Sequence, residues 1–313
     1  MRGVIKFRYL IALSILLQIS FATYGVECGF SISSAPPITF QWSSSDESLT
    51  QTVTISRVNK SQECKNFQLA ANRGGISSYN RRMELMGNVI PYNLYTQSSH
   101  NNPLLDYPDV ANKNDVIKGS FKNNKYSKNV TVYALRPQLI AQNPPGGVYS
   151  DLVTYKLYSD QTGYTIPAAT KSVLVTTIQP KFVHLSLVDS GSPFDISDTI
   201  QNLNFGTLNS GDIQSFDIRI KSNSGHAIYF SSQNDGNLKH ATLNELVNYT
   251  ISVDGGSKEL NGSSSSPVLV ATAAGQTPPS GSPHQVTVQI EQFGLKAEGD
   301  YSDNITITVM TTE

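Results

Sequence analysis

Three aspartates, Asp106, Asp109 and Asp115, fall within the segment HNNPLLDYPDVANKND, and carboxylates this close in sequence could hold a calcium ion. Their spacing lacks the regular ligand order of an EF-hand loop, and turns in Asn- and Pro-containing segments recruit Asp for its own sake, so turn chemistry accounts for them better. The histidines, His100, His184, His226, His240 and His284, are scattered, with no H-E-x-x-H and no pair at metal-ligand spacing, and no metal is expected. Gly191-Ser192-Pro193 is not a G-x-S-x-G elbow, and nothing completes a triad. The residues therefore predict no catalytic site, no cofactor and no enzyme. The two cysteines, Cys28 and Cys64, read as a disulfide in an oxidising compartment. A redox pair would sit at C-x-x-C spacing, and a zinc site would need more ligands than two distant thiols supply.

The compartment is read from the first residues, MRGVIKFRYLIALSILLQISFA. Arg2, Lys6 and Arg8 precede an apolar run from Tyr9 to Ile19, followed by Ser20 and Ala22 at small-residue cleavage spacing. That pattern predicts a secretory signal peptide over residues 1–22, because the run is about half the roughly 20 residues a membrane span needs. Charged residues make up 15% of the chain, against about 25% in an average soluble protein. With 23 basic and 24 acidic residues the net charge is -1. No block of positive charge exists to attract nucleic acid or an anionic membrane surface.

Nearly every periodic segment alternates with period two. LTQTVTISRV (49–58), VIPYNLYT (89–96), NVTVYALR (129–136) and SVLVTTI (172–178) read as half-buried strands in the first half. KFVHLSLV, IQSFDIRIKS, HAIYFSS, VNYTISV, HQVTVQIEQF and NITITVM continue the pattern in the second. The expectation is an all-β chain of two tandem Ig-like sandwiches, residues 23–180 and 181–313, divided where a strand pattern stops at Gln179-Pro180.

Two stretches carry one motif, G-x-Y-S-D-x-[VI]-T-x-x-[LV]. GVYSDLVTYKL starts at Gly147 and GDYSDNITITV at Gly299, matching Tyr149 with Tyr301 and Asp151 with Asp303. After the first copy another alternating strand follows, SVLVTTI; after the second the sequence ends at Glu313. The second sandwich is therefore expected to be one strand short, with a groove flanked by Val183, Leu185 and Leu187 on its first strand and Ile305, Ile307 and Val309 on its last. Such an edge is an aggregation hazard unless another chain supplies a strand. The alternative is a strand drawn from elsewhere in the same half.

Cys28, RRMELMGNVIPYNLYTQ and PPGGVYSDLVTYKLY together resemble the spore coat protein U family over about residues 27 to 160. That family supplies subunits of archaic chaperone-usher pili. The second half, through SGHAIYFSSQNDGNL, VNYTISVDG and GDYSDNITITV, resembles the pilin domain of such subunits more loosely, and it departs from the pattern in having no cysteine. In the first half NNPLLDY replaces the Trp-Gly often found after the Y-x-L-Y strand. The resemblance implies donor-strand complementation, with a periplasmic chaperone, an outer-membrane usher and an adjacent subunit as partners. It implies export through the periplasm to the surface of a Gram-negative cell. With only about five residues between the expected cleavage point and Cys28, the chain has no room for a donor segment of its own and fits a tip adhesin; a minor structural pilin or a secreted carbohydrate-binding protein is the alternative. Its target would be an abiotic or host surface. Apolar residues in expected loops are the candidates to grip it: Pro103, Leu104, Leu105 and Tyr107, with Ile76, Tyr79, Tyr164 and Ile166. Leu104 and Leu105 could equally fold back into the core.

Overall fold

The computed structural model describes residues 28–43, 45–138, 144–159, 164 and 166–312. The expected signal peptide lies outside the described residues. Eleven strands precede Pro180: β1 (Ser31–Ser34), β2 (Ile38–Phe40), β3 (Glu47–Ser56), β4 (Asn66–Ala71), β5 (Arg82–Leu85), β6 (Asn88–Pro91), β7 (Asn93–Tyr95), β8 (Ile117–Ser120), β9 (Ser127–Arg136), β10 (Gly147–Ser159) and β11 (Ala169–Gln179). They form one sheet ordered β1-β3-β9-β7 and a second ordered β2-β11-β10-β4-β8, with β5 and β6 as a hairpin against β10. Ten more follow: β12 (Val183–Asp189), β13 (Ile213–Ser222), β14 (His226–Ser232), β15 (Asn237–His240), β16 (Leu246–Val253), β17 (Gly256–Lys258), β18 (Val268–Ala273), β19 (Ser282–Ile290), β20 (Tyr301–Ser302) and β21 (Ile305–Thr311). Here the sheets run β12-β13-β19-β16-β15-β20 and β18-β14-β21. The fold is all-β, as the period-two alternation requires, and among the described residues no ladder joins a strand before Pro180 to one after it.

Each half closes around its own apolar cluster. In the first, Val53, Ile55, Val132 and Leu94 from one sheet meet Phe40, Leu69, Val153, Tyr155 and Val175 from the other. Cys28 and Cys64 are bridged and buried at its margin, where the 3-10 turn Gln62–Cys64 brings the second thiol inward. In the second half Phe216, Ile218, Ile251 and Val286 face Ile228, Phe230 and Val270.

The segment 89–96, expected as one strand, is two. β6 pairs with β5 in one sheet and β7 pairs with β9 in the other, so the chain crosses between layers at Tyr92. The crossing is anchored by buried Arg81, whose guanidinium donates to the carbonyls of Ala71, Asn72 and Leu104 and to Asn93 Oδ1. Period-two alternation runs unbroken through such a crossing, which is why the sequence does not mark it.

One asparagine joins the two halves. Asn223, fully buried in the turn between β13 and β14, donates through Nδ2 to the carbonyls of Pro180 (2.9 Å) and Pro144 (3.3 Å) and accepts from the Phe182 N–H at 2.9 Å. Its own carbonyl accepts from Gly146 N–H.

Candidate functional site

The repeated motif builds the same corner twice. Gly147 and Gly299 both have φ +150°, and an added Cβ would lie 2.6 Å from Leu85 Cδ2 in the first and 2.2 Å from His240 Nε2 in the second. Two residues on, Tyr149 donates its hydroxyl to the Pro145 carbonyl at 2.9 Å, and Tyr301 donates to Ala297 at 3.1 Å. A tyrosine bonded back to backbone four residues upstream is the corner that ushers a strand into an Ig-type sandwich. Two residues further, each aspartate gathers donors. Asp151 accepts from Tyr92 OH (2.6 Å) and from the N–H groups of Gly75 and Leu152. Asp303 accepts from Tyr249 OH (2.6 Å), Ser232 Oγ and the N–H groups of Asn234 and Asn304. Burial, reinforced by the neighbouring carboxylate, pushes the Tyr92 and Tyr249 phenols well above their ordinary value, so both remain donors throughout the physiological range.

Beyond the corners the two strands part. β10 is paired on both edges, with β11 from Gly147 to Leu157 and with β4 from Tyr155 to Ser159. β21, among the described residues, pairs only with β14. Stepping along each strand from its aspartate, Val153, Tyr155 and Leu157 correspond to Ile305, Ile307 and Val309. The first three are 0% exposed, whereas the second three are only partly buried against their core. β12 forms the other rim: Val183 and Leu185 are half-buried, and Leu187 is buried within the core rather than lining the rim. Among the described residues β12 pairs only with β13. The six residues expected to flank a groove thus share one apolar cluster, and the free edges of β12 and β21 bound it.

The expected adhesive loops are mostly folded in. Leu104 is 0% exposed, because its N–H bonds to the Leu94 carbonyl and its side chain enters the first core. Pro103 bridges to Tyr95, and the Leu105 carbonyl accepts from Ala71. Tyr107 donates to Gln68 and packs on Tyr158 and Tyr164. Tyr79 bonds the backbone of Asp106, and Ile76 is half-buried. Of the eight, Ile166 alone is exposed, at 66%. The three aspartates go separate ways: Asp106 takes Tyr158 OH and Lys156, Asp109 pairs with Arg73, and Asp115 accepts from Ala111 and Asn112 N–H. No group of three or more metal-binding side chains occurs among the described residues.

The sequence reading missed a different surface. On the outer face of the β10–β11 hairpin, Val148 stands opposite Ile178 and Leu152 opposite Leu174, all four exposed. The signal was present as apolar residues on both parities of the strands, which a half-buried strand does not need.

No curated protein matches this sequence. Solved structures similar to it include a chain of the CsuC–CsuE chaperone–tip adhesion subunit complex of Acinetobacter baumannii archaic Csu pili, with 13% identity over 90% of this chain and 99% of that one and a TM-score of 0.37. The adhesive subunit CfaE of the CFA/I fimbria of enterotoxigenic Escherichia coli is 15% identical over 90% and 93% of the two chains, TM-score 0.41. The CupB6 tip adhesin of Pseudomonas aeruginosa is 12% identical over 90% and 94%, TM-score 0.39. Residues 14–156 match the family model of the Spore Coat Protein U domain.

Proposed function

We propose that this chain is a subunit of a chaperone-usher pilus whose second sandwich, residues 181–313, accepts a β-strand from another chain. The observation that carries the reading is the edge of β21, open where the equivalent edge of β10 is covered by β11. Main-chain hydrogen bonds along a free edge, with alternate side chains entering an apolar groove, are the physical basis of strand addition. The β10–β11 ladder supplies the expected geometry: an antiparallel partner, with apolar residues facing Ile305 and the corner aspartate, as Val173 and Val175 stand opposite Val153 and Asp151. A periplasmic chaperone would fill the edge first, and an adjacent subunit would replace it at the outer-membrane usher.

The first sandwich, residues 23–180, carries its own covering strand and has no groove to offer on β10. A self-complete unit joined to an open one suits the end of a fibre, so the subunit is read as the tip, with the first sandwich free to contact an abiotic or host surface at the exposed pairs Val148–Ile178 and Leu152–Leu174. The test is assembly in cells. Ile307→Asp places a charge in the groove and is expected to abolish incorporation into fibres while the first sandwich folds; normal fibres from that variant would overturn the reading. Leu152→Asp with Leu174→Asp is expected to leave fibres intact and reduce attachment to apolar surfaces, and unchanged attachment would remove that face from the account.

A further inference from the structure

The second sandwich buries a histidine pair that the strand-accepting role does not use. His226, on β14, is 0% exposed and its Nε2 faces His284 Nε2, on β19, at 3.4 Å. These strands belong to opposite sheets, so the contact spans the sandwich. Behind His284, its Nδ1 donates to Asp254 Oδ2 at 2.7 Å, and Asp254 is itself fixed by the Gln285 N–H on Oδ1 and by donating its own N–H to the Gln285 carbonyl. With Nδ1 of His284 committed as donor, its Nε2 holds a lone pair and accepts the Nε2–H of His226. With both rings neutral the relay runs from His226 through His284 to Asp254 and leaves His226 Nδ1 buried without a partner.

We propose that His226, His284 and Asp254 form an acid-sensitive clasp between the two sheets of the second sandwich, closed at neutral pH and loosened in mild acid. One extra proton can be held only at a cost, since His284 as a cation donates to Asp254 and to His226, whose own hydrogen then moves to Nδ1, where no acceptor stands. A second cannot, because two N–H groups and two positive charges would then face each other beside the fully buried ring of His226. The unfolded or opened chain takes both.

The surroundings offer the second proton nothing. His226 has Thr311 of β21 and Ala273 of β18 as strand partners, and neither strand contains a titratable residue. Beside His284 on β13 stands Ile218, with Asp217 and Arg219 on the opposite face, paired with each other at 3.8 Å. Lys221, further along that face, lies over the Phe194 ring. On β14 and β16 the other titratable groups are Tyr229 and Tyr249, the latter bonded to Asp303; β19 has none besides His284. β12 carries exposed His184 and Asp189. Lys181 Nζ donates to the Thr312 carbonyl beside Thr311, adding positive rather than negative charge at this end. Burial first, and His284 second, hold the His226 imidazole below its ordinary value. The sign follows. A folded value below the unfolded one leaves stability whole above about pH 6.5, and stability falls as pH drops from there toward the folded value.

The experiment is hydrogen exchange on the intact chain, read by mass spectrometry at about pH 7.5 and about pH 5 and corrected for intrinsic rates. Amides of β14 and β19 are expected to lose protection by up to about tenfold per pH unit relative to those of β10 and β11, the limit for one extra proton taken up on opening. His226→Leu, which cannot titrate, is expected to remove that difference. Equal pH dependence in both sandwiches, or a drop retained in His226→Leu, overturns the proposal. Should that variant fail to fold, ring titration of the native chain by NMR decides: His226 titrating below the ordinary imidazole value supports the clasp, and titration at or above it contradicts it.

Discussion

In the first sandwich Val153, Tyr155 and Leu157 are fully buried on a strand flanked by β11, whereas their counterparts Ile305, Ile307 and Val309 lie half-buried on β21, which among the described residues pairs only with β14. The two strands enter through the same glycine, the same tyrosine bond and the same aspartate hub, so the corner is not what decides whether a sandwich is closed. Local hydrogen bonding positions the strand; whether its outer edge is covered depends on a neighbouring strand, which β10 has in β11. Apolar burial shows the consequence. Among the described residues Trp42, Leu49, Leu85, Ile117 and Ala169 are the partly buried fringe of the first core, while that of the second is larger and includes Val183, Leu185, Leu203, Phe205 and Phe293 besides the three on β21. Half-buried apolar side chains leave part of their transfer free energy, about 25 cal/mol per Å² of surface still wet, unrealised until something covers them.

The largest effect expected from breaking this contrast is at the disulfide. Cys64→Ser should destabilise the first sandwich by about 3–4 kcal/mol, the chain-entropy value for a loop of this size. Unfolding monitored by Trp42, the one tryptophan and a member of the first core's fringe, should shift while exchange in the second sandwich does not. Next come the hubs. Asp151→Ala and Asp303→Ala each strand several buried donors and should cost roughly 3 kcal/mol apiece, each confined to its own sandwich. If Asp303→Ala also loosened the first sandwich, the two corners would not be independent. Asn223→Ala should cost about 2 kcal/mol by orphaning the Phe182 N–H and two proline carbonyls. It should also widen the distribution of overall shapes seen by small-angle scattering, with an unchanged scattering curve counting against its role as the joint. Smallest are Tyr149→Phe and Tyr301→Phe, about 1 kcal/mol each for one lost hydroxyl bond, measured as paired shifts in denaturant midpoint.

Much of the strand inventory was legible because exposed and buried side chains alternate along it. IQSFDIRIKS and HAIYFSS coincide with β13 and β14 to the residue. The repeated motif also marked the pair of corners, since a Gly at φ +150° and a Tyr and Asp at fixed offsets are local requirements written in adjacent positions. What was illegible is non-local. NNPLLDYPD left open whether Leu104 grips a surface or turns into the core, because the choice depends on the Leu94 carbonyl and the cradle around Arg81. The His226–His284 contact joins residues that are far apart in sequence and meet only when two sheets stack. Asn223 likewise gains its partners only after Pro144 and Pro180 have been placed by different strands.

The open edge of β21 is the central claim, and hydrogen exchange along that strand in the intact chain tests it most directly. Without a partner, the β21 amides not bonded to β14 should exchange far faster than those of β10, and an added peptide of residues 169–179, the chain's own covering strand, should slow them. Protection of β21 as strong as that of β10 with no peptide present would mean the second sandwich is already closed, and the strand-accepting role would be contradicted.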